Sequence, residues 1–322
     1  MIRYVVRRAL WSVLLLLLVS VITFVLFYVL PSGDPALLRA GRNASPEALE
    51  QIRSQLGLDE PLPVQYWTFL KALVLHFDLG YSWYNDASVG SLIADRLPAT
   101  ISLALGAAVL WLAIAIPIGI VSALHRRTWA DRLFMGGALI AVSAPVYWVG
   151  LVALYLFADD IGQFPLLPGA NSYVPLTEDP GAWFGALLLP WLVLAGAFAA
   201  VYARMLRGSL IETMSQDFVR TARAKGISER RVVLRHGVRV AITPVVTLLG
   251  VDIGVLLGGA ILVETVFNIP GIGRLGFDAI DHADFPVIQG TVLLAALCVV
   301  VANLVVDVVY ALLDPRVRYD PR

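Results

Sequence analysis

Six long stretches of this 322-residue chain are free of charge or interrupted by a single acid. A helix needs about 20 apolar residues to cross the hydrocarbon core of a bilayer, and each of these stretches is at least that long. We therefore predict six transmembrane helices. The stretches are Ala9–Leu30, Pro98–Leu124, Leu133–Ala158, Pro180–Ala203, Val240–Val263 and Phe285–Leu313.

The composition agrees with a membrane protein, since 59% of the residues are hydrophobic and the mean hydropathy is +0.79. Soluble proteins have a clearly lower share of apolar residues. The first stretch follows Arg3, Arg7 and Arg8, as a signal peptide would, but it is too long for the apolar core of one and no small-x-small cleavage site follows. We interpret it as a retained helix in an all-α integral membrane fold.

The basic residues predict the orientation of the helices. With the N-terminus in the cytosol, 18 of the 24 Lys and Arg residues lie on the cytosolic side, as the positive-inside rule requires. Three precede the first stretch, three lie between the second and third, nine lie in residues 204–239, and three lie at the C-terminus. Both termini are therefore expected in the cytosol.

We divide the chain into residues 1–30, an external segment 31–97, and a core 98–322 that contains a basic cytosolic segment, 204–239. The external segment is predicted to be ordered. Ser45 and Pro46 have the pattern of a helix N-cap and first helical position, Gly57 is a terminator, and Val64–His76 has helical periodicity. Residues 159–179 are rich in Pro and Gly and are predicted to form a loop.

Several kinds of catalytic site are excluded by the residues present. The two lysines, Lys71 and Lys225, do not occur in a phosphate-binding G-x-x-x-x-G-K-[ST] motif, so no nucleotide site of that type exists here. None of the four histidines begins H-E-x-x-H, and no G-x-S-x-G motif occurs. Cys298 is the single cysteine, so no disulfide can form within the chain. We expect a non-enzymatic protein without a cofactor or metal of its own, and we expect no nucleic-acid partner.

Two features inside the apolar stretches leave alternatives open. Asp252 and Asp307 are acids within a span, which are costly there and usually face a cavity or a partner; they either serve an ion-coupled secondary transporter or are satisfied by neighbours. Gly250 and Gly254, with Gly258, give the fifth stretch a flat face. That face either packs against another helix of this chain or, with Asp252, lines a translocation path.

The segment 204–239 carries nine basic residues. We predict that Ser215 caps a short helix from Gln216 to Lys225, which Gly226 ends in a left-handed conformation, and that Ser228 caps the next helix. Phe218, Val219 and Ala222 share one face of the short helix. Anionic lipid would attract the cations, by about 1 kcal/mol each, but it does not require a cap, a helix and a glycine terminator. This arrangement favours a protein partner, with lipid as the alternative.

Several motifs along nearly the whole chain resemble those of importer permeases of the ATP-binding-cassette class, in the dipeptide/oligopeptide branch. The segment from Phe218 to Gly226 resembles that class's signature loop, with Ala222 and Gly226 matching and Arg220 in place of its acid. The other matching motifs begin at Tyr4, Leu30, Leu56, Asp78, Arg96, Glu264 and Asp284, with Ala283 where a basic residue is expected.

The resemblance implies a type I permease fold and one half of a translocation path, in the cytoplasmic (inner) membrane of a bacterium. It implies a second, homologous permease subunit, two cytosolic ATPase subunits that bind ATP and Mg²⁺, and an extracytoplasmic binding protein that delivers the substrate. The short helix would be the coupling helix that contacts an ATPase. The residues assigned to this contact are Phe218, Val219, Ala222, Arg223 and Gly226.

Overall fold

The computed structural model describes residues 2–29, 35–40 and 45–313, and these are almost entirely helical, which confirms the all-α prediction for this part of the chain. The motif at residues 30–34 and the basic C-terminal residues lie outside it. In chain order the helices are α1 (Ile2–Phe24), α2 (Pro35–Ala40), α3 (Pro46–Leu56), α4 (Leu62–His76), α5 (Val89–Leu124), α6 (Trp129–Ser143), α7 (Val146–Phe157), α8 (Pro180–Met214), α9 (Asp217–Ala224), α10 (Glu229–Arg231), α11 (Arg239–Ala241), α12 (Thr243–Leu257), α13 (Ile261–Val266), α14 (Ile272–Asp281) and α15 (Phe285–Leu313).

Four of the six predicted crossings lie on single helices and the other two overlap bent pairs, so the described residues hold four candidate spans, or six if each bent pair is one span. The fifth predicted stretch, Val240–Val263, is not one helix, because α12 ends at Leu257 and α13 begins at Ile261. By length and composition α1, α5, α8 and α15 can each cross a membrane. The pair α6 and α7 bends by 99°, and the helix from α10 to α11 meets α12 at 46°. Proline lies at both bends, with Pro145 directly before α7 and Pro244 in the first turn of α12, since proline cannot continue the hydrogen-bonding pattern of a preceding helix. Pro117, by contrast, lies inside α5.

The core is built on the contact between the two longest helices, α5 and α8. Small residues line both helices, among them Ala107 and Ala195, which are completely buried, and they let the backbones approach closely. Trp111 of α5 is also completely buried and stacks on Phe198 of α8, with ring centroids 4.7 Å apart. Near the other end of the contact, the indole N–H of Trp191 donates to the carbonyl oxygen of Ser102 at 3.1 Å.

The glycine face of α12 packs against α15. A Cβ placed on Gly254 would lie 2.7 Å from the Cβ of Ala302, and one on Gly258 would lie 2.7 Å from the Cβ of Ala295. A Cβ on Gly250 would overlap Val306 in the same way. The close approach of these two helices therefore depends on the absence of side chains at the three glycines.

The segment after α1 is ordered where the structure describes it. Ser45 caps α3 by accepting a hydrogen bond from the backbone N–H of Ala48, and Gly57 ends the helix in a left-handed conformation with φ of 64°, both as predicted. Helix α4 packs on the end of α1, where Phe24 meets Tyr66 edge to face at 5.3 Å. The hydroxyl groups of Ser20 and Tyr66 are 3.0 Å apart and share a hydrogen bond.

Sequence motifs that are far apart in the chain meet on the side of the molecule opposite α9. The completely buried carboxylate of Glu264 accepts hydrogen bonds from the hydroxyl of Thr100 at 2.8 Å and from the backbone N–H of Arg274 at 2.9 Å. The buried carboxylate of Asp284 accepts one from the hydroxyl of Ser82 and another from the backbone N–H of Trp83. These bonds hold the segments before α5, around α13 and before α15 in one arrangement.

Replacing Gly254 with Ala tests the packing of α12 on α15. The new methyl group would also lie 3.1 Å from the Cα of Val299, and backbone cannot move aside as a flexible side chain can. We expect a loss of about 1–3 kcal/mol from overpacking and a lower thermal unfolding temperature of the purified protein. Gly208→Ala is the matched control, because a Cβ there meets nothing within 4 Å and alanine favours a helix. An unfolding temperature unchanged by Gly254→Ala would contradict this packing.

Candidate functional site

The basic segment reverses its direction at α9. Gln216 occupies the N-cap position, Asp217 lies in the first turn and Arg223 in the last turn, so both charges complement the helix dipole. Gly226 has φ of 75°, a left-handed conformation that side chains disfavour. The predicted short helix with Gly226 as its terminator is confirmed, and it is one residue shorter at each end.

The predicted role of Ser215 is wrong. Helix α8 continues through Arg204 and Arg207 to Met214, and Ser215 is the C-cap of that helix instead of the N-cap of the next one. Its hydroxyl donates to the carbonyl oxygen of Glu212 at 2.7 Å, so it is not available to the N–H groups of α9. The segment 204–239 therefore begins inside a helix that reaches from the membrane to the turn, and α9 follows it directly.

The five residues assigned to the coupling contact separate into two groups. Val219 and Ala222 lie on the buried face of α9, where they pack with Val232, Met214 and Ile227 of this chain. The other three face outward: the Phe218 side chain is 41% exposed, and Arg223 and Gly226 are also exposed. The inner group anchors α9 to the chain, and the outer group forms the surface that α9 presents.

An ion pair spans the turn at Gly226. The guanidinium of Arg223 donates to both carboxylate oxygens of Glu229, at 3.0 and 2.6 Å. These hydrogen bonds raise the pKa of the Arg223 guanidinium, so it stays charged. Both side chains are about half exposed, and exposed pairs contribute less than about 1 kcal/mol to stability. The pair therefore serves mainly to orient the start of α10 relative to α9.

The residues suggested for the translocation path lie on two sides of α12. Gly250 and Gly254 face α15, which agrees with the packing alternative. The carboxylate of Asp252 accepts a hydrogen bond from the phenol of Tyr202 on α8 at 2.6 Å, so it has a neutral neighbour as a partner. The side chain of Asp307 lies outside the described residues. A role of these residues in the path stays a prediction.

A buried ion pair that was not predicted from the sequence joins the C-terminal part of α8 to α6. The guanidinium of Arg207 donates to the two carboxylate oxygens of Asp131 at 2.7 and 2.8 Å, and the Asp131 side chain is 6% exposed. The Ser122 hydroxyl and the backbone N–H of Arg127 donate to the same carboxylate. One acid thereby joins the ends of α5 and α8 to the start of α6. The sequence signal that could have indicated a paired acid here is a single acid, Asp131, among three arginines in residues 126–132.

Replacing Arg207 with Gln tests this ion pair. The substitution leaves the buried Asp131 charge without its cation, which strongly destabilises a buried site; since Arg207 is about a quarter exposed, we expect a loss of about 1–2 kcal/mol. Arg220→Gln is the matched control, because Arg220 pairs with Asp217 where both side chains are largely exposed. Thermal unfolding in detergent measures both. Equal unfolding temperatures for the two variants would contradict a structural role of the pair.

Comparison with known proteins places these features in a family. The family model described as "Binding-protein-dependent transport system inner membrane component" matches residues 115–319, and its N-terminal counterpart matches residues 1–104. The chain is similar to a putative peptide transport system permease protein of Brucella abortus (strain 2308), with 42% identity over 316 residues, 98% of this chain and 99% of that protein.

A second relative is the glutathione transport system permease protein of Salmonella typhimurium, with 42% identity over 319 residues, 99% of this chain and 100% of that protein. The family models together cover most of the described helices, including α9 and the ends of α5, α6 and α8 that the Asp131 carboxylate joins. The chain belongs to the family of binding-protein-dependent transport system inner membrane components.

Proposed function

We propose that this chain is one of two permease subunits of an ATP-driven peptide importer. The family membership supports the role of a membrane component in transport, and the names of the relatives above support peptides as cargo. The observation that carries the proposal is α9, a short helix with an exposed outer surface that is anchored at the end of a long membrane helix. This is the arrangement that a subunit without a nucleotide site requires to receive energy from another protein.

The partners follow from this role. Two cytosolic ATPase subunits bind ATP and Mg²⁺, a homologous permease completes the path, and an extracytoplasmic binding protein delivers peptides. Both termini then lie in the cytosol, with the nine basic residues of 204–239 near the ATPases and the lipid surface. Residues 31–97 lie outside and 98–322 form the permease core. The hydrogen bond from Tyr202 to Asp252 gives that acid a local partner, which makes the ion-coupled alternative less favourable.

The mechanism begins with ATP-driven closure of the ATPase pair, which moves the outer surface of α9, at Phe218, Arg223 and Gly226. Val219 and Ala222 pass this movement to the rest of the chain, because they are packed against Val232. Helix α8 ends only two residues before α9, so it moves with α9. The bidentate bond between Arg207 and Asp131 then obliges α6 and the end of α5 to follow as one body.

Alternating access commonly uses rigid-body movement of one part of a transporter against another. ATP binding changes the opening of the path only if the contact between α9 and the ATPase differs between the open and closed states of the ATPase pair.

Transport in membrane vesicles tests the proposed function. We expect the chain to co-purify with an ATPase and peptide uptake to stop when ATP is depleted. An uncoupler that collapses the proton gradient, added with ATP maintained, is expected to leave uptake intact, since no ion gradient drives the step. Uptake that stops with the uncoupler alone would support the ion-coupled alternative through Asp252 and Asp307 and would overturn the proposal.

Replacing Gly226 with Val tests the coupling helix. Valine in a left-handed conformation costs about 1–2 kcal/mol, so we expect the end of α9 to reorganise. Because 1.4 kcal/mol is a factor of ten in affinity, co-purification of the ATPase is expected to fall about tenfold, with a matching loss of uptake.

Gly57→Val is the matched control for Gly226→Val. Gly57 also ends a helix with positive φ, and a Cβ at either glycine meets nothing within 4 Å, so the local strain is similar. The control variant is expected to co-purify with the ATPase as the unaltered chain does. Normal uptake by Gly226→Val would show that α9 does not couple the two proteins.

A further inference from the structure

A polar cavity of about 320 Å³ opens on the side of the molecule opposite α9. It lies between the start of α5, the loop before α8 and the segment from α13 to α14. About 40 Å of α5 separates it from the turn after that helix, at 1.5 Å per residue. The residues that give the cavity its character are Arg96, Asn171, Tyr173, Asn268, Arg274 and Asp278.

The walls of the cavity are held in place by specific contacts. The amide group of Asn268 donates to the amide oxygen of Asn171 at 2.6 Å, and the backbone N–H of Asn171 donates to the carbonyl oxygen of Phe267 at 3.0 Å. Both asparagines have positive φ, 63° and 54°, a conformation that asparagine tolerates better than most residues. The buried Glu264 carboxylate accepts a hydrogen bond from the backbone N–H of Arg274, which fixes that part of the wall. The cavity is therefore a built feature of the fold.

The charges that line the cavity are not balanced. Arg274 lies 3.7 Å from the carboxylate of Asp278, a distance too long for a hydrogen bond. Arg96 is half-buried, and no acid in the described part of the chain lies within 4 Å of its guanidinium. The cavity thus holds one guanidinium without a counter-charge, beside a loosely held pair and the free amide donors of Asn171.

We infer that this cavity binds the carboxylate of a peptide as it enters the translocation path, with Arg96 as the principal contact. A guanidinium binds a carboxylate through two parallel hydrogen bonds, and one unbalanced positive charge fits a singly charged group better than a phosphate. A terminal carboxylate is common to peptides of every sequence. The inference rests on the proposed function, and it adds a site in the permease itself that recognises cargo.

Transport by the complete complex in proteoliposomes, with its binding protein and ATP, tests the inference. The probes are one peptide with a free C-terminus and the same peptide with a C-terminal amide, each saturating the binding protein. For Arg96→Gln we expect import of the free-carboxylate peptide to fall about tenfold, with a less than twofold change for the amide. Arg96→Lys is expected to give an intermediate loss of import of the free-carboxylate peptide, because lysine keeps the charge but cannot make the two parallel hydrogen bonds.

The ratio of the two import rates separates the inference from other causes of failure, since it does not depend on how much of the variant is correctly folded. Arg39→Gln, an exposed arginine of α2, is the control and is expected to leave both rates unchanged. An equal loss for both peptides in Arg96→Gln would mean that Arg96 acts in docking the binding protein or in folding, and would overturn the inference. An unchanged ratio with unchanged rates would also overturn it.

The proposed function fails separately, if the unaltered complex imports neither peptide.

Discussion

The close contact between α5 and α8 determines where every functional part of this chain lies. Its small residues bring the two backbones together, and Trp111, stacked on Phe198, fills the remaining space. In a bilayer the hydrophobic effect does not drive helices together, so association depends on this kind of packing and on hydrogen bonds between helices. One end of the contact carries Arg207 and leads into α9. The other end carries Thr100 and Arg96.

The two ends of this contact are held together by different kinds of interaction. At the α9 end, the buried carboxylate of Asp131 on α6 accepts bonds from α5, from α8 and from the turn between α5 and α6, and a small apolar cluster anchors α9. This construction joins α5, α6 and α8 into one unit, as the proposed coupling requires. At the opposite end, Glu264 and Asp284 bind backbone N–H groups of neighbouring segments, which fixes loops around a polar cavity. These bonds fix the shape of that cavity.

Local signals predicted some of these features well. The short helix ending at Gly226 and the cap at Ser45 follow from a few neighbouring residues, and the structure contains both. Ser215 was misassigned because a serine between two helices can satisfy either one, and only the continuation of α8 to Met214 decides which. The sequence predicts Val219 and Ala222 at the contact with a partner, which stays a prediction, since a short amphipathic face does not by itself say what covers it. The structure covers that face with Val232 of the same chain.

The sequence by itself determined the helical architecture, because long apolar stretches have no other stable form in a bilayer, where every backbone group must be satisfied within the segment. It also determined the family resemblance through the order and spacing of its motifs. Only the tertiary structure decided which motifs meet. Thr100 bonds Glu264 across 164 residues, and Arg207 bonds Asp131 across 76. Such pairings, and the unpaired state of Arg96, depend on how the helices pack in three dimensions, which local propensity does not encode.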